Sequence, residues 1–340
     1  MAKILAQGGR LDSVVVTGGS VLEENAGSFD ATYADCALFC NDNTGAAHFE
    51  LSFIDNAGAA VDLANGETGF FHFEYRDGGT SGSVGNIWEL YDSSSFPWLA
   101  LRQDGSSGGQ VLRLMYNSNT GASPVWTQLG GTQTYADASR HEQDVKITIN
   151  SGGNHAVQWS VDRAAVVTAT FANAGFGSAR KCRYIGRETS RFSQLLCTEG
   201  LTTIGAKVKY SRPTGAGTTN TFSSAAAANV NEVVNSDASF DQSAAAGQKV
   251  TYAMGDVAVP AGYRIGGVDH CIRGKNDGSA PTNLKSVIRS GGVDYASGNL
   301  PGIGTSFGSL RRRIPTDPAT GVDFTQAGWN AAEAGYESAA

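Results

Sequence analysis

The stretch Asp144-Val145-Lys146-Ile147-Thr148-Ile149-Asn150, the turn Ser151-Gly152-Gly153-Asn154, and the run Val157-Gln158-Trp159-Ser160-Val161 decide the fold. Val145, Ile147 and Ile149 alternate with polar neighbours, and Val157, Trp159 and Val161 do the same after the glycines. A period of two with a Gly-rich turn between the runs predicts a β-hairpin with one buried and one wet face. Outward from it the pattern repeats. Phe71, Phe73 and Tyr75 alternate with His72, Glu74 and Arg76, and the runs at 99–102 and 111–116 flank Asp104-Gly105-Ser106-Ser107-Gly108-Gly109. Short strands at this spacing, joined by tight turns, predict an all-β chain of sandwich or jelly-roll type.

Composition agrees. Gly is 44 of 340 residues, about twice the usual ~7 % share, while Pro is only 8 and the hydrophobic share is 41 %. Length favours two domains. Twenty-five basic against 32 acidic residues give a net charge of −7, which argues against a nucleic-acid partner, since phosphate binding needs Lys and Arg. No run approaches the ~20 apolar residues of a membrane span, and the opening Met1-Ala2-Lys3-Ile4-Leu5-Ala6-Gln7 lacks a signal-peptide core. Membrane insertion is therefore not expected. The five cysteines are odd in number and irregularly spaced, and Cys36 and Cys40 would lie four strand rises of ~3.3 Å apart. All five are expected to be free thiols.

The order of elements around the hairpin is more specific. Asp144–Ile149, a Gly turn, Gln158-Trp159-Ser160-Val161-Asp162-Arg163, then 166–171 and Tyr184-Ile185-Gly186-Arg187 resemble the concanavalin A-like, laminin-G-like sandwich. That family has a strand ending in an aromatic-x-Val-Asp-Gly turn, and here Arg163 stands in place of the Gly. The resemblance implies a lectin-like first domain. A second resemblance lies near the end: Asp317-Pro318-Ala319-Thr320-Gly321 running to Gly328-Trp329-Asn330-Ala331-Ala332-Glu333-Ala334-Gly335-Tyr336, preceded by Arg289-Ser290-Gly291-Gly292. This is similar to the closing segment of tailed-bacteriophage virion proteins, with Phe324 departing from the pattern before Thr325.

Together these readings predict two β-sandwich (jelly-roll-like) domains, 1–203 and 204–340, with a short C-terminal helix capped by Thr325. The resemblances imply a structural component of a tailed-phage virion, made in the host bacterial cytoplasm. Its first-choice role is a tail- or fibre-type adhesion protein with a glycan-binding domain. The alternatives are a capsid-surface decoration protein and a carbohydrate-active enzyme. Expected partners are identical copies, as a trimer, other virion proteins and a host surface glycan.

A glycosidase needs two carboxylates about 5 Å apart. Glu89 shares its strand face with Tyr91 while Asp92 points away, and Glu74 is spaced against Arg76, so neither supplies an acid pair. Gly105/Ser107/Gly109 and Gly304/Ser306/Gly308 fit Gly-x-Ser-x-Gly but have no helical pattern after them. The five His residues are scattered, and Asn41-Asp42-Asn43-Thr44-Gly45 reads as a turn before it reads as a calcium loop. The expectation is of no enzyme, no cofactor and no metal. Trp98 and Trp126 are candidate glycan contacts. Trp329 and Tyr336, seven apart on one helical face, are candidate assembly contacts. Arg311-Arg312-Arg313 is expected to alternate across a strand whose outer face is solvated or meets another subunit.

Overall fold

The computed structural model describes residues 3–8, 13–18, 20–24, 29, 37–42, 46–77, 84–106, 109–119, 123–136, 138–232, 237–279, 281–300 and 303–340. Cys36, Asn43 to Gly45, most of the run from Gly78 to Gly85, and Ser107 lie outside them. The chain divides into two compact units, Met1–Phe53 with Ala60–Val208, and Ile54–Ala59 with Lys209–Ala340. Both are built from antiparallel sheets, so the chain is all-β, and among the described residues the α-helix is Gln326–Asn330.

The first unit packs two sheets. One orders its strands Ala164–Ala172, Asn154–Val161, Arg140–Thr148, Thr68–Arg76, Glu188–Glu199, Ala37–Asp42 and Ser20–Glu24, with Lys3–Gly8 also paired to Glu188–Glu199. The other orders Trp126–Tyr135, Gly109–Asn117, Pro97–Ser106, Gly85–Tyr91, Lys181–Ile185, His48–Ser52 and Val15–Thr17. The hairpin read from the sequence is present, with Val145 opposite Trp159 and Ile147 opposite Val157. Its apolar set enters a core where Phe73 of the first sheet meets Tyr184 of the second edge-on at 5.4 Å, and Phe71 lies 5.7 Å from Trp88. Each such ring contributes about 1.5–3 kcal/mol by leaving water. Cys182 and Cys197 face each other across the two sheets with Sγ atoms 3.9 Å apart, and burial pushes the Cys182 thiol up. Cys40, Cys182 and Cys197 are buried thiols, and Cys271 is a half-buried one.

The second unit carries a five-stranded sheet in the order Pro213–Asn220, Lys249–Met254, Glu333–Ala339, Asn283–Ser290 and Val293–Ala296, and a pair, Val268–Gly274 with Gly308–Ile314. Gly291 and Gly292, at φ +57° and +82°, make the two-residue turn between Asn283–Ser290 and Val293–Ala296. The Asp-Pro-Ala-Thr-Gly turn is tied to that hairpin: Ser290 Oγ donates to Asp317 Oδ1 at 2.6 Å, and the same oxygen accepts from Ala319 N. Thr325 caps the helix by accepting from Gly328 N at 2.9 Å.

Two expectations change here. The helix ends at Asn330, and Tyr336 sits instead on the central strand Glu333–Ala339, paired on both sides. Trp329 and Tyr336 therefore do not share a helical face. Trp329 is buried within its own unit, edge-on to Phe324 at 5.5 Å, and the Tyr336 hydroxyl donates to Asp241. Within this unit both side chains are engaged by internal contacts. The Arg311-Arg312-Arg313 run does alternate, but Arg313 is 2 % exposed rather than solvated. It pairs with Asp269 at 3.1 Å and donates to the Ile54 carbonyl, while Arg312 donates to the carbonyls of Ser286 and Tyr295. Burial works to raise the Asp269 carboxyl, but Arg313 and Arg311 outweigh it and hold it below its ordinary value.

Candidate functional site

The alternation that buries Phe71, Phe73, Val145 and Ile147 sends His72, Glu74, Glu142 and Asp144 to the outer face of the larger sheet. Strand register sets Glu142 opposite Glu74 and Asp144 opposite His72. Two carboxylates in direct cross-strand positions repel. Lys207, on the segment that follows Glu188–Glu199, relieves this by reaching Glu74 Oε1 at 3.2 Å and bonding Glu142 Oε1. In the next row, His72 Nδ1 lies 3.0 Å from Asp144 Oδ1, which also accepts from Thr203 Oγ1 at 2.8 Å. Ser193 Oγ donates to Glu74 Oε2 at 3.0 Å.

At one end of this face the cluster opens into a cleft of about 200 Å³ lined by Glu74, Arg140, Glu142, Asp162 and Arg163. Arg140 Nε stands 3.8 Å from Glu74 Oε2, and Arg163 Nε 3.3 Å from Glu142 Oε2. Burial works to raise the Glu142 carboxyl, but Lys207 and Arg163 hold it below its ordinary value. Lys207 is raised, because Glu142 and Glu74 outweigh its own desolvation. Asp162 and Arg163 form the tight turn between Asn154–Val161 and Ala164–Ala172, at φ +47° and +73°. The second turn position thus carries an arginine in a left-handed conformation that glycine adopts freely, at a cost of roughly 1–2 kcal/mol.

The sequence-derived candidates fall elsewhere. Trp98 is fully buried, stacked on Phe176 at 5.7 Å and packed on His155 at 5.0 Å, so it offers no face to a ligand. Trp126 is half-buried on the edge strand of the other sheet and is not among the residues that line the cleft. Glu89 is occupied by Asn86 Nδ2 at 2.6 Å and the Tyr91 hydroxyl at 2.5 Å. The Gly304/Ser306/Gly308 segment runs into the strand Gly308–Ile314, not a helix. Among the described residues no group of three or more His, Cys, Asp or Glu side chains is arranged to hold a metal, and no helix is long and apolar enough to cross a membrane. What the sequence reading missed is the acid set itself. Glu142-Gln143-Asp144 already alternates at the start of the deciding stretch, and Glu74 joins it only through strand pairing.

No family model matches the chain, and no curated protein matches it. Solved structures similar to it include a carbohydrate esterase from the Shiga toxin-encoding bacteriophage phi24B. That match has 15 % identity and a TM-score of 0.38, and covers 55 % of this chain and 89 % of that one. Another is the alginate lyase Aly36B, at 9 % identity and TM-score 0.37, over 58 % and 99 % of the two chains. A third is an endo-β-1,4-glucuronan lyase from the fungus Trichoderma reesei, at 14 % and 0.38, over 58 % and 94 %. These neighbours are an esterase and polysaccharide lyases, and the expectation that the chain is not an enzyme is withdrawn. The premise of that expectation also fails, since three carboxylates and a histidine do share one sheet face.

Proposed function

We propose that the first unit engages carbohydrate at the Arg140–Glu142–Asp162–Arg163 cleft, in a protein that works as part of a bacteriophage particle. The observation that carries the reading is Arg163. It is held at φ +73° where glycine would be unstrained, and its guanidinium stands over Glu142 at the cleft. Strain retained at one position points to a use for that side chain. Planar guanidinium and carboxylate groups side by side supply both donors and acceptors, which suits the vicinal hydroxyls of a sugar. The particle reading rests on the likeness of 317–336 to phage closing segments, and detection of the chain's peptides in purified virions tests it.

Arg163→Gly separates binding from folding. Relief of the left-handed strain, roughly 1–2 kcal/mol, offsets loss of an ion pair whose arginine is 52 % exposed and which is worth roughly 0–1 kcal/mol. The variant is expected to unfold at the wild-type urea midpoint or slightly above it. Its affinity for glycans retained by the wild type on an array is expected to fall at least about tenfold, one lost charge-assisted contact. Equal affinity in the two proteins would remove the cleft from the account.

A further inference from the structure

Beside the cleft, Ser139, His141 and Asp162 form a hydrogen-bonded chain that the charged cluster does not use. His141 Nδ1 lies 2.6 Å from Asp162 Oδ2, and His141 Nε2 lies 2.8 Å from Ser139 Oγ. An ionised carboxylate only accepts, so Nδ1 carries the proton and Nε2 turns its lone pair to the serine hydroxyl. The ring is held in place: it stacks on Tyr135 at 4.1 Å, and the Tyr135 hydroxyl is bonded to Gln143, which in turn accepts from Trp159 Nε1 at 3.0 Å. Asp162 is fixed through its other oxygen, which accepts from Glu142 N at 2.9 Å.

The serine is presented by a strained turn. Ala138, immediately before it, adopts φ +60°, and the Ala138 carbonyl accepts from Arg76 Nε at 3.0 Å. Ser139 Oγ also lies 2.5 Å from the Ala136 carbonyl, so rotation about its Cβ–Oγ bond moves the proton between that oxygen and His141. The group is open to substrate: Ser139 is half-buried, and the His141 and Asp162 side chains are 23 % and 53 % exposed. Asp162 belongs at once to this chain of bonds and to the cleft wall.

We propose that Ser139, His141 and Asp162 are a nucleophilic acyl-transfer site that removes ester-linked acyl groups from a saccharide held in the adjoining cleft. The substrate class rests on the carbohydrate reading above; the nucleophile does not. Ser139 Oγ adds to the ester carbonyl carbon while His141 Nε2 takes its proton. The bond from that carbon to the sugar oxygen then breaks, and His141 returns the proton to the departing oxygen. Water attacks the acyl-serine, gives its proton to His141, and the acyl–Oγ bond breaks as that proton passes to Oγ. A carboxylic acid leaves, and the net reaction consumes one water with no change of oxidation state. Asp162 stabilises the imidazolium formed in each step.

The test uses the full chain, a fluorophosphonate probe and para-nitrophenyl acetate. Peptide mass spectrometry is expected to find the phosphonyl group on Ser139. Ser139→Ala should lower ester turnover by about 10³-fold or more, and His141→Asn by a comparable factor. Asp162→Asn should lower it by a smaller factor than either. Absence of label on Ser139 in the folded wild type overturns the proposal even if a variant fails to fold, and so does ester turnover that survives His141→Asn. Label on Ser139 in a protein that retains no glycan sinks the saccharide reading and leaves the nucleophile standing. Glycan retention without label does the reverse.

Discussion

Lys207→Met is expected to destabilise the first unit by roughly 3–5 kcal/mol, the cost of leaving buried charge without its partner. Glu74 and Glu142 are cross-strand neighbours whose side chains are 3 % and 15 % exposed, and the Lys207 ammonium between them is 7 % exposed. Methionine keeps the length of the stem and removes the charge, so the two carboxylates face each other with the more exposed Arg140 and Arg163 as their remaining partners. The pH dependence carries the sign. In the wild type Glu142 is held below its ordinary value, so its contribution is present above the unfolded value of about 4.3 and is lost as pH falls through the folded one. Lys207 is held above its ordinary value, so its contribution is complete below about 10.4 and is lost as pH rises through the folded value. In the variant the acids repel, and protonation relieves them, so stability should rise between pH 7 and pH 5. Urea midpoints at those two pH values read this directly. A midpoint at pH 7 equal to that of the wild type would show that the lysine bridge contributes nothing.

Trp329→Ala is expected to cost the second unit about 3–5 kcal/mol, the range for removing a buried aromatic. Trp329 is 6 % exposed and shares its cluster with Phe324, Ala332 and Ala334 nearby in sequence and with Ile288 and Ile314 from more distant strands. The helix that carries it has five residues and cannot hold itself together in water, so the ring is what anchors it. Two-step thermal melts should show the second unit's transition lowered and the first unit's unchanged. An unaltered melt would mean that the ring is dispensable. Removing everything from Phe324 onward is a larger change than the loss of a closing helix. It takes out Glu333–Ala339, the middle strand of five, and should leave no folded second unit at all.

The sheets were legible wherever one face is wet. Val145, Ile147 and Ile149 against Lys146 and Thr148 state the period, and the register Val145 to Trp159 follows from the turn. Ala331 to Tyr336 misled because Ala, Glu and a Trp–Tyr spacing of seven favour a helix. Pairing on both sides overrides that propensity from Glu333 onward. Gly335 is the clue in hindsight: a Cβ there would lie 1.9 Å from the Val250 carbonyl, so this position needs glycine for strand approach, not for a helix end. Trp98 was ambiguous for another reason. It begins a strand, Pro97–Ser106, whose neighbours Leu99, Ala100 and Leu101 are also buried, so alternation does not say which face it takes.

The site was half legible. Glu142 and Asp144 stand two apart at the head of the deciding stretch, and their common face follows from period two alone. Glu74 and His72 reach them only through the pairing of Thr68–Arg76 with Arg140–Thr148, which no local pattern states. Lys207 and Thr203 arrive from a segment without regular structure, whose position depends on tertiary packing. The replacement of Gly by Arg163 was visible as a departure from the family turn. Its left-handed backbone and its place over Glu142 give that departure a physical meaning.

Crystals of the full chain soaked with oligosaccharides from bacterial surfaces test the central claim most directly. The account predicts a sugar ring in the cleft, its hydroxyls within hydrogen-bond distance of Arg140, Glu142, Asp162 and Arg163. Sugar bound only elsewhere, for instance against Trp126 on the other sheet, with this cleft empty, would contradict it.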